Sequence, residues 1–271
     1  MTQNRRHTKR RASRPRGKRP SKTTRIMNRV ARLLCISVFV ALMLGFVVYF
    51  LLPNVFYSLY YKVAGSYRPA SDEPYDGIDV SHHNGTIDWE LVVKDPNIKF
   101  VYIKASEGYG HRDKQFEENT VQARKFGLKV GAYHLLTTRT SMRTQFDFFV
   151  STVGDHPQDL LPMVDVEENK VTKWTKQQKR DSIAKFVELA KEHYGVEPVL
   201  YCSHKFYKSC LAPEFDDLIL FVARYSRTQP ELDGKTHNIW QFTEHGQVDG
   251  INGDVDLNRF GAGTSLDDLL L

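Results

Sequence analysis

The chain has 271 residues and a formal net charge of +6, room for one large domain or two small ones. The first 32 residues hold 13 of the 38 basic residues and no acid. All 32 acidic residues follow Leu52, with the other 25 basic ones. Charge so segregated speaks against a uniformly basic nucleic-acid binder, and three cysteines without C-x-x-C spacing speak against a cysteine-framed metal site.

Residues 1–32 are poor in apolar side chains and are expected to form a disordered basic tail. Residues 33–52, LLCISVFVALMLGFVVYFLL, form an uncharged run of 20. At about 1.5 Å per residue such a helix crosses a hydrocarbon core of about 30 Å. The basic block places the N-terminus in the cytoplasm and the acidic portion outside it, in the periplasm or at the cell exterior. A cleaved signal peptide is the rival reading, but the run exceeds the usual apolar region of about 7–15 residues. The nearest small-residue site, Val63-Ala64-Gly65, is a poor cleavage signal. The expected partner of 33–52 is the lipid bilayer. The tail reads as a topology signal with attraction to anionic lipid, or as a dock for a cytoplasmic partner, rather than as a nucleic-acid arm. Residues 53–74 read as a linker, with Phe56, Tyr57, Tyr60 and Tyr61 placed as in an interfacial belt or a hydrophobic staple. Cys35 falls in the apolar run. Cys202 and Cys210 form either a bridge or two free thiols on the exported side.

From Tyr75 onward apolar runs alternate with helical patterns. Strands are expected at Asp76–Val80, Lys99–Lys104, Lys129–Leu135, Leu161–Val166, Pro198–Cys202, Leu218–Ala223, Asn238–Phe242 and Val255–Leu257. Several are continuously apolar, as when both faces of a parallel strand are buried. Between them, Asp88 caps a short helix at Trp89–Val93, and Gln115–Phe126 stops at Gly127. Ser141 caps a helix with Phe146, Phe149, Val150 and Val153 on one face, and Thr175 with Gln178 forms a capping box ahead of a helix ending at Gly195. Repeated βα units with eight strands predict an α/β fold for 75–271: an irregular (β/α) TIM-like barrel with missing C-terminal helices, preceded by one transmembrane helix. No nucleotide-binding motif competes with that reading.

Sites on such barrels sit at the C-terminal ends of the strands. Those ends read Asp79-Val80-Ser81-His82-His83, Lys104-Ala105-Ser106-Glu107, Tyr133-His134 and Asp165-Val166-Glu167, and the last strand carries Asp256. Asp165 and Glu167 are two apart, so a strand points both to one face. Two close carboxyls in a partly dry site divide into a proton donor and an ionised group, the division glycoside hydrolysis needs. Tyr133, Tyr201, Tyr225, Trp240 and Phe242 lie near strand ends, where rings pack either into the core or on the apolar faces of sugars. Trp240, followed by Gln241, is the expected sugar platform. His82, His83 and His134 lack metal-ligand spacing, and no metal or cofactor is expected.

YDGIDVSHHNGTIDW, FVYIKASEGYGHRDKQFEEN, GLKVGAYHLL, LPMVDVEEN and IWQFTEHGQVDGINGDVDLNRF lie in this order over nearly all of Tyr75 to Phe260. The chain thereby resembles the glycoside hydrolase family 25 lysozymes, the Chalaropsis-type N-acetylmuramidases. The resemblance implies cleavage of the β-1,4 bond between N-acetylmuramic acid and N-acetylglucosamine in peptidoglycan, without a cofactor. It implies Glu167 as general acid/base, Asp165 beside the substrate's acetamido group or assisting attack, and Asp79 and Asp256 as further acids. Lys104, Glu107, Tyr133, Tyr201, Trp240 and Gln241 are expected to bind substrate. His82-His83-Asn84 departs from the family's usual residues, which bears on substrate preference. The D-x-x-D-x-D-x-E pattern of barrel chitinases fails at Leu160 and Met163. A non-catalytic glycan-binding protein on the same barrel is the alternative.

Overall fold

The computed structural model describes residues 21–51 and 67–271. The readings for 1–20 and for Phe56, Tyr57, Tyr60 and Tyr61 lie outside the described residues. The chain divides into two compact units, Met1–Ala64 and Gly65–Leu271.

In the first unit, helix α1 spans Lys22–Leu51. It starts well before the apolar run because Lys and Arg are good helix formers and no proline interrupts the sequence between Pro20 and Pro53. Its segment Met27–Phe46 has mean hydropathy 2.0, with none of it buried, and is long and apolar enough to cross a bilayer.

The second unit is built on strands β1 (Gly77–Val80), β2 (Phe100–Glu107), β3 (His111–Arg112), β4 (Lys129–Leu135), β5 (Met163–Val166), β6 (Val199–Ser203), β7 (Leu220–Ala223), β8 (Ile239–Gly246) and β9 (Val255–Phe260). The sheet order is β1-β9-β8-β7-β6-β5-β4-β2-β3, and β1 also pairs with β2. Eight strands therefore close a barrel, and β3 hangs on β2 as a hairpin. Helices α2 (Trp89–Val92), α3 (Phe116–Lys125), α4 (Met142–Val153) and α5 (Lys176–Tyr194) cover the first part of the ring. The expected caps form: Ser141 accepts from Thr144 N, and Thr175 and Gln178 exchange bonds as a capping box. After β6 the described helical elements are a one-turn helix α6 (His204–Phe206), a π turn (Tyr207–Leu211) and a 3-10 turn (Leu266–Leu269), so the barrel loses its long helices toward the C-terminus as expected. Cys202 and Cys210 are buried free thiols.

Two features differ from the sequence reading. First, β9 runs antiparallel to both β8 and β1. Residues 247–254 are too few for a crossover helix, so β8 and β9 form a hairpin. Second, 67–74, expected as the end of a linker, lies along that hairpin. Thr243 Oγ1 donates to Tyr67 O, Arg68 pairs with Asp254, and Arg259 donates to Pro74 O and to Glu73.

Alternation along the strands separates two apolar regions. Outward residues such as Val101, Ile103, Val164, Val166, Leu200, Val222 and Trp240 join the helices in the larger core. Inward residues Phe100, Tyr102, Met163, Val199, Phe221 and Ile239, with Leu160, Leu161 and Leu269, fill the barrel floor. Glycine makes that floor possible at two places. A Cβ at Gly77 would stand 2.5 Å from the Phe100 ring, and one at Gly131 would stand 2.5 Å from the Tyr102 ring.

Candidate active site

Above the apolar floor the inward positions turn polar. Met163 lies in the floor, and the next inward residue of β5 is Asp165, with Glu167 following at the rim. On β1 the inward residue is Asp79. Since β9 is antiparallel, its N-terminal end lies at the mouth, and Asp256 falls directly opposite Asp79. These four acids share one cleft of about 450 Å³, also lined by Lys104, Glu107, Tyr133, Tyr201 and Gln241. The volume lies within the range of about 300–1,000 Å³ for small-molecule sites.

Asp79 is the most heavily held acid. Its Oδ2 accepts from Gln241 Nε2 and Asn258 Nδ2, each at 2.9 Å. Burial raises its pKa, while bonds from Asn258, Gln241 and Asp256 oppose the rise. Burial raises Asp256 well above the usual range, reinforced by the charges of Asp79 and Glu244. The bond between the two carboxyls favours the charged form of Asp79 and the neutral form of Asp256, so Asp256 carries the proton and donates it. Gln241 is itself fixed. Its Oε1 accepts from Tyr201 Oη at 2.7 Å and from Tyr225 Oη at 3.0 Å. Burial lifts both phenols well above their ordinary values, so they remain donors. The same cause acts on Tyr133, with Asp79 and Asp165 adding to it.

Asp165 is 6 % exposed, and its Oδ1 is buried without a hydrogen-bond partner. Burial, then the charge of Glu167, pushes its pKa well up and favours its protonated form. The wall on the β4–β2 side of it is cationic. Lys104 Nζ donates to Glu107 Oε2 at 2.8 Å, and Lys170 Nζ to Glu107 Oε1 at 2.7 Å. Burial favours neutral Glu107, but the two ammonium groups overcome it and bring it down to about 2. Lys170 N also bonds Glu167 O at 3.0 Å, which closes the turn that carries Glu167. Protonated and ionised carboxyls thus stand together, as general acid and base chemistry requires.

Nine of the ten residues expected at the site line the cleft; Trp240 does not. It is 1 % exposed, lies in the outer core, and donates its Nε1–H to Arg224 O at 2.8 Å. Trp240 and Gln241 are adjacent on β8, so they face opposite sides, and Ile239 in the floor sets Gln241 inward. His134 is also turned away. It bonds Ser106 and Gln145, stacks on Phe186, and burial lowers its pKa to about 4. His82 pairs with buried Asp113 through Nδ1 at 2.6 Å. No cluster of three or more His, Cys, Asp or Glu suited to a metal occurs among the described residues. Tyr225, one of the aromatics noted near strand ends, also lines the cleft, and Asn258 and Lys170 belong to the site without having been singled out. Asn258 was accessible from its spacing of two after Asp256, but no sequence spacing marks Lys170.

A closed barrel with a D-x-E pair at the end of one strand, and acids from β1, β2 and β9 in the same cleft, has the arrangement of a glycoside hydrolase. The chain belongs to glycosyl hydrolases family 25, whose family model matches residues 78–251. It is 36 % identical over 188 residues to the uncharacterized protein YegX of Escherichia coli strain K12, 68 % of each chain. It is 32 % identical over 206 residues to Lysozyme M1 of Streptomyces globisporus, covering 71 % of this chain and 69 % of that one. Among solved structures, the bacterial lysozyme from Streptomyces coelicolor matches with a TM-score of 0.64 and 29 % identity, over 73 % of this chain and 96 % of that one.

Proposed function

We propose that the protein is a muramidase that cleaves the β-1,4 bond between N-acetylmuramic acid and N-acetylglucosamine in peptidoglycan. One observation carries the reading: Asp165 and Glu167 open from β5 into an acid-lined cleft, in a chain similar to Lysozyme M1. Glu167 at the rim acts as general acid/base. Protonated Asp165 offers its unpartnered carboxyl to the substrate's acetamido group. Asp79 and Asp256 hold a shared proton across the barrel from them, and Gln241, Tyr201 and Tyr133 receive sugar hydroxyls. Helix α1 anchors the chain in a bilayer, with the basic tail cytoplasmic and the barrel exported. Residues 52–66 allow a reach of at most about 50 Å, which restricts cleavage to glycan near the membrane.

Incubation of the full chain, in mild detergent, with purified peptidoglycan tests this. Mass spectrometry should find fragments ending in reducing muramic acid, and Glu167→Gln should release none. Equal release by both proteins, or none by the unaltered chain, refutes the reading. Resistance of the chain to alkaline extraction from membranes, with residues 1–32 retained, supports the anchor over a cleaved signal.

A further inference from the structure

Five large hydrophobic side chains are exposed in the barrel unit among the described residues, and Tyr109 is the one aromatic among them, 64 % exposed. It stands at the tip of the β2–β3 hairpin, between Gly108 and Gly110. Glu107, two residues before it, lines the cleft. Two residues of chain span at most about 7 Å, so the hairpin tip lies close to the cleft that Glu107 lines.

The tip is braced on several sides. Gly108 N donates to Leu135 O at 3.0 Å, and Leu135 also lines the cleft. Gly108 and Gly110 have φ of +54° and +87°, which side-chain-bearing residues rarely adopt. A Cβ at Gly108 would also stand 2.5 Å from Thr137 Oγ1. The Tyr109 ring meets Phe148 of α4 with centroids 5.4 Å apart and planes at 63°. Arg112 covers Phe148 at 5.3 Å and bonds Ser151 O and Oγ at 3.1 and 3.2 Å. A ring held this firmly gives up little freedom when a ligand packs on it.

Inside the cleft the rings that meet the bound sugars are those of Tyr133, Tyr201 and Tyr225. Tyr201 and Tyr225 are committed to Gln241, and Trp240 is buried on the other side of the barrel wall. A glycan polymer must leave the cleft across its rim, and its sugar rings present apolar C–H faces there. We propose that Tyr109, braced by Phe148 and Arg112, is a stacking platform for sugar units of the glycan strand beyond those held in the cleft. This subsite rests on the peptidoglycan reading and adds strand-length preference to it. It contributes to holding the polymer and takes no part in the bond cleavage.

The test compares the full chain with Tyr109→Ala and Tyr109→Trp on two substrates: long glycan strands freed of stem peptides, and a tetrasaccharide fragment. An aromatic contact is worth about 0.5–1.5 kcal/mol. Tyr109→Ala should therefore raise KM on long strands about three- to tenfold, leave kcat unchanged, and leave both constants unchanged on the tetrasaccharide. Tyr109→Trp should keep the preference for long strands. Unchanged KM on long strands, or equal losses on both substrates, overturns the platform while the muramidase reading stands. Failure of the unaltered chain to cleave either substrate overturns the muramidase reading, and the platform with it.

Discussion

Glu107→Gln isolates the charge that holds the cationic wall together. Two ammonium groups meet one carboxylate at 2.8 and 2.7 Å, and its pKa falls from 4.5 to about 2. At about 1.36 kcal/mol per pKa unit, that fall amounts to about 3.4 kcal/mol. The Glu107 and Lys170 side chains keep 23 % and 37 % of their exposure, so solvent screening reduces it to about 1–2 kcal/mol. A carboxyl with a depressed folded pKa contributes stability that is complete above its unfolded value, about 4.5, and is lost as pH falls through about 2. Glutamine lacks that contribution at every pH. The stability gap between wild type and variant should be about 1–2 kcal/mol at pH 7 and less than half of that at about pH 3. Urea unfolding followed by tryptophan fluorescence measures it, because Trp89, Trp174 and Trp240 all lie in the barrel unit. Lys170→Met should reproduce part of the gap. A gap of equal size at both pH values would mean that shape, not charge, is lost, and would refute the reasoning.

Asp256→Asn keeps a donor toward Asp79, whereas Asp79→Asn can keep its carbonyl oxygen on the Gln241 and Asn258 donors only by turning its NH2 toward the protonated Asp256. Thermal melts should therefore place Asp79→Asn about 1–3 kcal/mol below Asp256→Asn; the reverse order would contradict a proton on Asp256. Gly131→Ala should cost about 1–3 kcal/mol, because the new Cβ would lie 2.5 Å from the Tyr102 ring and 2.9 Å from Leu160 Cβ. The melting temperature should drop by about 2–4 °C per kcal/mol, with KM for peptidoglycan unchanged since Gly131, Tyr102 and Leu160 do not line the cleft.

Much of the barrel was legible because continuous apolar runs and side-chain caps are local signals. Ser141, Thr175 and Gln178 act within a few residues of themselves, and the structure realises each cap. The D-x-E pair was legible for the same reason, since a spacing of two fixes a shared face. Trp240 shows the limit of reading residues by type. Neighbours on a strand cannot both face inward, and the choice was made by Ile239 and the floor it packs into. The direction of β9 followed from a connection length, visible in the sequence but outweighed by the pattern of repeated βα units. The strap at Tyr67–Pro74 and the Lys170 latch have no local signal. Their partners, Thr243, Asp254, Arg259 and Glu107, are far away in the chain and meet them only once the barrel has closed.

The closed barrel also explains how so many acids coexist. Asp79, Asp165, Glu167, Glu244, Asp254 and Asp256 line one cleft, where full ionisation would be strongly repulsive. The repulsion is relieved in two physically distinct ways. Asp165 and Asp256, buried with anionic neighbours, retain protons. Glu107, also drawn inward, is instead matched by Lys104 and Lys170 and stays charged. Burial pushes each carboxyl toward its neutral form, and the neighbour beside it, carboxyl or ammonium, reinforces that push or overcomes it. Protons favoured on β5 and β9, with an ionised carboxylate on β2 between them, give the cleft acid donors at a pH where isolated aspartates would have lost them. The apolar floor beneath keeps water from entering along the barrel axis, so the difference between those environments persists.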